Sequence, residues 1–376
     1  MAKSAPPATL SSSALRRYSR HLLIPEVSLA GQERLSAARV LVIGAGGLGS
    51  PVLHYLAAAG IGRIGIADDD AVDETNLQRQ TLFVSADIGK PKAALAAERV
   101  RAMNPHVNVD CIPLRVTAKN ARELVALYDV TIDCTDRFES RYAINDACIL
   151  EGRPDVYGSI YRFDGQVSVF GHREGPCYRC LFPNAPAKDT VPTCAEGGVL
   201  GVLAGIVGAF QASEALKLVL GIGEPLSGRL LLVEALGART REIALARDPG
   251  CALCGLAPTI HEPRADGASR ELAELDMEIS AQQLDDALRD AILLDVREPH
   301  EAVLGFLPGA VHIPASAFEQ RLHELDPAKT YVVACRVGLK SRWAYGRLRD
   351  AGFTRVLHLR GGLLAYAALD AAFAFF

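Results

Sequence analysis

The sequence predicts an α/β protein in two units, the first and larger one built on a mainly parallel sheet. Three observations predict this. An apolar strand pattern, Arg39 to Ile43, ends in a glycine-rich turn, and a helix pattern and a second strand follow it. A stretch with Pro258, Pro263 and Gly267 and no period interrupts the chain after Cys254. From Met277 a new alternation of short strands and helices begins. The 376 residues suit about two domains, placed at 12–255 and 277–376 with an exposed linker at 256–276.

The elements are expected in this order. The first βαβ unit runs through Arg39–Ile43, Pro51–Ala59 and Ile61–Ala67. Further strands are expected at Val107–Ile112, Val130–Asp133, Gly165–Phe170 and Arg229–Glu234. The second unit should carry strands at Ala291–Asp295, Val311–Ile313, Tyr331–Ala334 and Arg355–Leu359. Its size, about 100 residues, lies within the usual domain range.

Composition narrows the function. The chain is 49% apolar, enough for a substantial core. Its net charge of -4 offers no electrostatic case for nucleic acid as the main partner. Residues Met1 to Ser13 lack the charged start and apolar stretch of a signal peptide. The longest apolar run, Val199 to Phe210, is too short to cross a bilayer. A cytoplasmic protein with no membrane partner is expected. Of the nine cysteines, four form two Cys-x-x-Cys pairs. That usage points to metal or redox chemistry in a reducing compartment.

The turn Gly44-Ala-Gly-Gly-Leu-Gly49 stands between a strand and a helix, with Asp68 about 20 residues on at the end of the next strand. Gly44, Gly46, Gly47 and Gly49 admit phosphates, and Asp68 suits ribose hydroxyls. The unit is therefore Rossmann-like. A dehydrogenase would share these features. The polar stretch Asp70 to Gln80 with Arg79, and Lys92 beyond it, favours ATP instead, since charge moves onto the α-phosphate and the departing pyrophosphate. Asp136, after the strand Val130–Asp133, supplies a carboxylate for Mg²⁺.

These residues carry a resemblance. Arg17-Tyr-Ser-Arg20, Gly44–Gly49, Asp68-x-Asp70, Thr75-Asn-Leu-Gln-Arg-Gln80, Lys92 and Asp133-Cys-Thr-Asp136 look like the MoeB/ThiF/HesA family. Its members are relatives of ubiquitin-activating enzymes and adenylate the C-terminal glycine of a small ubiquitin-like sulfur carrier. The resemblance covers about residues 12–255. It implies ribose binding by Asp68, phosphate binding by Asn76, Arg79 and Lys92, and Mg²⁺ at Asp136. It places Asp70, Thr75, Leu77, Gln78 and Arg137 around the nucleotide. It also implies a homodimer, in which Arg20 reaches the partner subunit's ATP site.

Cys177, Cys180, Cys251 and Cys254 form two knuckles about 70 residues apart. Four thiolates so arranged suit a closed, structural Zn²⁺ site, which the resemblance also implies. A thioredoxin-like redox pair is the competing reading, without a βαβ placement to support it. Cys194, on an irregular Pro-containing segment, is either a dispensable loop thiol or, as the resemblance implies from relatives with a functional cysteine at the matching position, catalytic through a covalent bond to the carrier. Cys111, Cys134 and Cys148 lie in apolar segments and are expected in the core.

In the second unit the strand Tyr331–Ala334 leads straight into Cys335-Arg-Val-Gly-Leu-Lys340, then Ser341 and a helix pattern. A cysteine at such a turn sits beneath backbone N–H groups and a helix N-terminus, which favour thiolate. Arg336 and Lys340 add positive charge. A Cys-x5-Arg phosphatase needs Arg where Ser341 stands. The loop resembles the rhodanese active loop, and Leu294-Asp-Val-Arg297, Gly305–Ala310 and Gly361-Gly-Leu match other rhodanese landmarks. Phe306 departs from the usual His. The resemblance implies that Cys335 takes a sulfane sulfur as a persulfide.

Together the two halves imply thiocarboxylate synthesis on a carrier ending in Gly-Gly, as in molybdenum cofactor or thiamin biosynthesis. The sulfur donor is expected to be a desulfurase persulfide or thiosulfate. The alternative is an activating enzyme for a ubiquitin-like protein modifier, with the second domain secondary. A third reading is a scaffold whose second domain only binds partners.

Overall fold

The computed structural model describes residues 10–185, 197–264, 277–303 and 305–369. Two compact units form, one of the described residues 10–185 and 197–264 and the other of 277–303 and 305–369.

The first unit holds an eight-stranded sheet in the order β3-β2-β1-β4-β5-β6-β7-β8. Its strands are β1 (Arg39–Ile43), β2 (Arg63–Ala67), β3 (Asn108–Ile112), β4 (Val130–Asp133), β5 (Asp155–Tyr161), β6 (Asp164–Phe170), β7 (Arg229–Glu234) and β8 (Arg239–Ala244). Strands β3 to β5 pair parallel, and β5 to β8 pair antiparallel. The parallel half has the near-continuous apolar strands that two covered faces require. Val40, Leu41, Val42, Ile64, Ile66 and Ile132 are all fully buried. The helices that cover it include α1 (Ser28–Ala37), α2 (Gly49–Ala59), α3 (Lys92–Met103), α4 (Phe138–Leu150) and α5 (Gly201–Leu220).

Two strands of this unit were not expected. The segment Asp155–Tyr161 mixes apolar and polar residues, and it pairs because β4 and β6 flank it. The strand β8 is exposed along its whole length, so it shows no buried face to read. The apolar run that ends at Phe210 continues as helix to Leu220. By length and composition α5 could cross a membrane. Here Leu203, Ala204, Val207, Ala212 and Ala215 are buried in the unit.

Two further expectations are corrected. Cys134 and Cys148 are buried, but Cys111 is exposed, because β3 is the edge strand of the sheet. The segment after Cys254 is not wholly exposed. Ile260 is buried against Cys177, Cys251 and Leu253. The Arg264 N–H donates to Asp146, which also accepts two hydrogen bonds from Arg179, inside the first cysteine knuckle.

The second unit is a five-stranded parallel sheet in the order β11-β10-β12-β13-β9. The strands are β9 (Glu278–Ile279), β10 (Ile292–Asp295), β11 (Val311–His312), β12 (Tyr331–Ala334) and β13 (Val356–Leu359). Helices α6 (Leu339–Asp350) and α7 (Gly362–Ala367) pack on it. The buried Arg297 guanidinium pairs with Asp295 at 2.6 Å and donates to the Gly305 carbonyl, pinning the loop after β10.

Candidate functional site

In the first unit, β1 lies between β2 and β4. Ile43 pairs with Ala67 on one side and Asp133 on the other. The chain runs from β1 to β2 on one side and later returns to β4 on the other. That reversal opens a crevice at the strands' carboxyl ends, where α/β sheets bind ligands. The turn Gly44–Gly49 fills its floor. Gly44 has φ +95°, and a Cβ there would stand 2.8 Å from the Cys134 carbonyl oxygen. A Cβ on Gly49 would lie 2.0 Å from the Gly44 carbonyl oxygen. Only glycine allows this turn to fold back on itself.

Asp68 follows β2, and its carboxylate accepts from the Ala45 N–H at 2.7 Å and the Asp70 N–H at 2.8 Å. It thus ties the turn to the next strand. Burial raises its pKa, and the two backbone donors work against that rise. Lys92 opens α3, and its ammonium reaches Asp70 at 3.3 Å. Arg137 approaches the same carboxylate at 3.8 Å. Asp136, the residue before Arg137, is exposed just past β4.

The stretch Thr75–Gln80 packs against the glycine turn. Arg79 carbons lie 3.5 Å from the Cβ position of Gly47, and the Gln80 amide lies 3.4 Å from that of Gly46. Arg79 donates to the Thr75 carbonyl at 3.0 Å, and Asn76 accepts from the Asp73 N–H at 3.4 Å. Leu77 is half-buried, and Gln78 is exposed, its carbonyl against Gly201 at the start of α5. The buried Gln80 Oε1 has no partner among the described residues. An unpaired buried acceptor beside a glycine turn suits a polar ligand. Arg20 stands apart on the short helix Ser19–Leu22, exposed and with no ion pair among the described residues.

Sequence reading missed a buried polar group beneath this crevice. Gln211 on α5 donates to the Asp133 and Val156 carbonyls, joining the ends of β4 and β5. Arg141 pairs with Asp133 and stacks over Tyr157. Asp155 beside them is held well above the usual carboxylate range by burial and by the Asp133 charge. No local motif marks these residues, which meet only through the sheet.

Cys177, Cys180, Cys251 and Cys254 converge, their sulfurs all within 4.8 Å of one another. The Cys180 and Cys254 sulfurs lie 3.4 Å apart, and those of Cys177 and Cys251 3.6 Å apart. Hydrogen bonding from Cys177 lowers the Cys254 pKa to about 5, and the same pairing raises that of Cys177. Four sulfurs at these separations can surround one tetrahedral ion. Cys194 lies outside the described residues.

In the second unit Cys335 directly follows the central strand β12 and is buried. The Gly338 N–H donates to its sulfur at 3.2 Å, and the Ser341 hydroxyl lies 3.4 Å from it. Gly338 has φ +100°, the turn that aims its N–H inward. The expected positive charge of Lys340 is largely neutralised by Glu301 at 2.6 Å. Burial pushes the Glu301 carboxyl up, but Lys340 and the Glu298 N–H together outweigh it and hold Glu301 below its usual range. The Arg336 Nε is buried without a partner among the described residues. Phe306 stacks edge-on with His312 and lies over Arg297, away from the sulfur loop's own bonds.

Known proteins share both halves. The ThiF family matches residues 18–253, and the rhodanese-like domain matches residues 280–369. A probable adenylyltransferase/sulfurtransferase MoeZ of Mycobacterium tuberculosis is 43% identical over 96% of this chain and 95% of its own. The adenylyltransferase and sulfurtransferase MOCS3 of Mus musculus is 44% identical over 89% of this chain and 75% of its own. A sulfur carrier protein adenylyltransferase of Thermus thermophilus is 51% identical over 66% of this chain and 93% of its own. The crystal structure of E. coli MccB with ATP shares the fold. Its TM-score is 0.58 at 22% identity, over 65% of this chain and 75% of that one. The chain belongs to the ThiF family, carries a rhodanese-like domain, and is an adenylyltransferase and sulfurtransferase.

Proposed function

We propose that this protein uses ATP to adenylate the C-terminal glycine of a small ubiquitin-like sulfur carrier, then converts it to a thiocarboxylate. The observation that carries the reading is one chain holding two complementary sites. Arg79 lies against the glycine turn while Lys92 and Arg137 converge on Asp70, and a cysteine sits in a cradle of hydrogen-bond donors. The Thermus thermophilus relative, named for a sulfur carrier protein, supports the substrate class.

In the first step a carboxylate oxygen of the carrier attacks the α-phosphorus of ATP, and pyrophosphate leaves. Gly44, Gly46, Gly47 and Gly49 let the phosphates approach the backbone, and Asp68 and Asp70 face the ribose side. Asn76, Arg79, Lys92 and, from a second copy of the chain, Arg20 stabilise the developing negative charge. Thr75, Leu77, Gln78 and Arg137 line the nucleotide. Asp136 is the carboxylate that would hold Mg²⁺, whose charge would offset that of the phosphates. A homodimer follows from the role given to Arg20.

In the second step the terminal sulfur of a Cys335 persulfide attacks the acyl carbon, and AMP leaves. A second thiolate, assigned to Cys194, attacks the Cys335 sulfur of the acyl disulfide. It forms a protein disulfide and releases the thiocarboxylate, and a cellular dithiol then reduces that disulfide. The persulfide sulfur comes from a desulfurase persulfide or thiosulfate. Thiols that must stay reduced place the reaction in the cytoplasm.

The test is exchange of labelled pyrophosphate into ATP, dependent on added carrier ending in Gly-Gly. No exchange with carriers of the molybdopterin, thiamin, tRNA-thiolation and cysteine pathways would sink the reading.

The cysteine cluster would hold one Zn²⁺ with no position left open, a structural role. Chelation, or Cys177→Ser, is expected to lower Tm of the first unit by about 10 °C in calorimetry. An unchanged transition in protein shown to be metal-free would refute the assignment.

A further inference from the structure

Behind the sulfur cradle lies a buried polar chain that the mechanism above does not use. His358 on β13 is 3% exposed. The β13–β9 register sets it directly beside Glu278, and its Nδ1 lies 2.9 Å from the Glu278 carboxylate. Its Nε2 lies 3.0 Å from the Gly338 carbonyl oxygen and 3.2 Å from the Ser341 hydroxyl. The Ser341 hydroxyl in turn lies 3.4 Å from the Cys335 sulfur and 3.0 Å from the Gly338 carbonyl. Ser341 is fully buried. Carbonyl and carboxylate oxygens only accept hydrogen bonds. Nδ1 faces the Glu278 carboxylate and Nε2 the Gly338 carbonyl, so each ring nitrogen meets an acceptor and is placed to donate an N–H toward it.

That fixes where the serine proton goes. A neutral ring with a bare Nε2 would take the Ser341 proton for itself. With Nε2 protonated, the ring donates toward the Gly338 carbonyl and the serine oxygen. The Gly338 carbonyl already accepts from the Arg342 N–H at 3.0 Å; with Nε2 also donating, both its lone pairs are served, and the Ser341 proton is left to point at the Cys335 sulfur.

We propose that His358, held by Glu278, is a positioning residue for sulfur transfer, which turns the Ser341 hydroxyl onto Cys335. The proposal rests on Cys335 being the sulfur acceptor. In the step it serves, the Cys335 thiolate attacks the outer sulfur of thiosulfate. A Cys335 S–S bond forms, the bond to the sulfonate sulfur breaks, and sulfite leaves with the electron pair. A hydroxyl donated to the sulfur stabilises the attacking thiolate and the persulfide anion that replaces it. Lys340 is neutralised by Glu301. That leaves Arg336, the Gly338 N–H and this hydroxyl to meet the negative charge.

The test uses the full chain with thiosulfate as donor and cyanide as acceptor, reading thiocyanate. Iodoacetamide alkylation of Cys335 is measured in parallel. His358→Leu and Ser341→Ala are each expected to lower kcat about tenfold, with the thiosulfate KM nearly unchanged. The double variant should lose the same tenfold, because both changes remove one hydrogen bond. His358→Gln, which keeps a donor toward Gly338, should recover most of the rate, and Glu278→Gln should fall between. Losses that multiply to about a hundredfold in the double variant, or a His358→Leu rate equal to wild type, would overturn the proposal. If His358→Leu fails to fold, His358→Gln and Glu278→Gln decide, and rates unchanged in Glu278→Gln count against it. The alkylation rate reads the thiolate without sulfur transfer. Wild type that alkylates but yields no thiocyanate would reject the sulfur role of Cys335. Equal alkylation in wild type and Ser341→Ala would reject the positioning role.

Discussion

A Cys335→Ala variant is expected to form the acyl-adenylate as wild type does and to deliver no sulfur. The chain has no cysteine beyond Cys254 other than Cys335, so nothing else in the second unit can hold a persulfide. The surrounding groups act on the sulfur and cannot replace it. The Gly338 N–H and Ser341 hydroxyl both end on it. Removing a nucleophile leaves whatever binding alone accelerates, and losses of at least about 10³-fold are usual. The variant is assayed twice, by carrier-dependent pyrophosphate exchange and by thiocarboxylate on the carrier, read by mass. Thiocarboxylate formed at more than a few per cent of the wild-type rate would refute the role given to Cys335. Loss of exchange would show that the two activities are not separable.

Lys92→Ala is expected to cost about 10² to 10³ in pyrophosphate exchange while leaving stability unchanged or slightly raised. The two halves of that expectation have one cause. Lys92 is the first residue of α3, where the helix dipole disfavours a cation. It is also nearly buried, its ammonium spending itself on Asp70 at 3.3 Å. A cation kept in such a place does little for the fold, and it suits an anion that arrives later. Arg79→Ala should follow with a similar loss, since its stem lies against Gly47 and the Thr75 carbonyl steadies its head. Kinetics at saturating ATP, with a thermal melt beside each variant, check this. A variant that loses stability and activity together would recast both residues as structural.

The crevice around the glycine turn was legible as a structural feature because its parts are short-range. The turn and the acid after the next strand declare themselves within a few residues, as do the two cysteine knuckles of the separate sulfur cluster. The parallel half of the first sheet was legible for a similar reason, since its strands are buried on both faces and read as apolar runs. Strand β5 was not, because its residues mix apolar and polar types and its cover includes α5, which lies well beyond it in the chain. Cys111 misled because an apolar segment on an edge strand still shows one side to water. The cluster of Gln211, Arg141 and Asp155 was invisible, since its members lie on three different elements. His358 and Glu278 were missed because the partner strand is only two residues long and leaves no periodic trace. Ser341 was noticed only as the residue that excludes a phosphatase, not as a donor to sulfur.

The exposed strand β8 has its own consequence. Among the described residues it is the last strand of the sheet, so one row of its backbone donors and acceptors faces outward there, a template on which another chain could add itself. Such edges seed filaments and precipitates unless something spoils the match. Here Arg239, Arg241 and Glu242 stand on the strand, and the Glu242 carboxylate is held by Arg229 at 2.9 Å on the neighbouring strand. A second copy laid alongside would bring like guanidinium groups together. Those charges keep a long open border from turning into a self-association surface, and replacing Arg239 and Arg241 with valine would remove that guard.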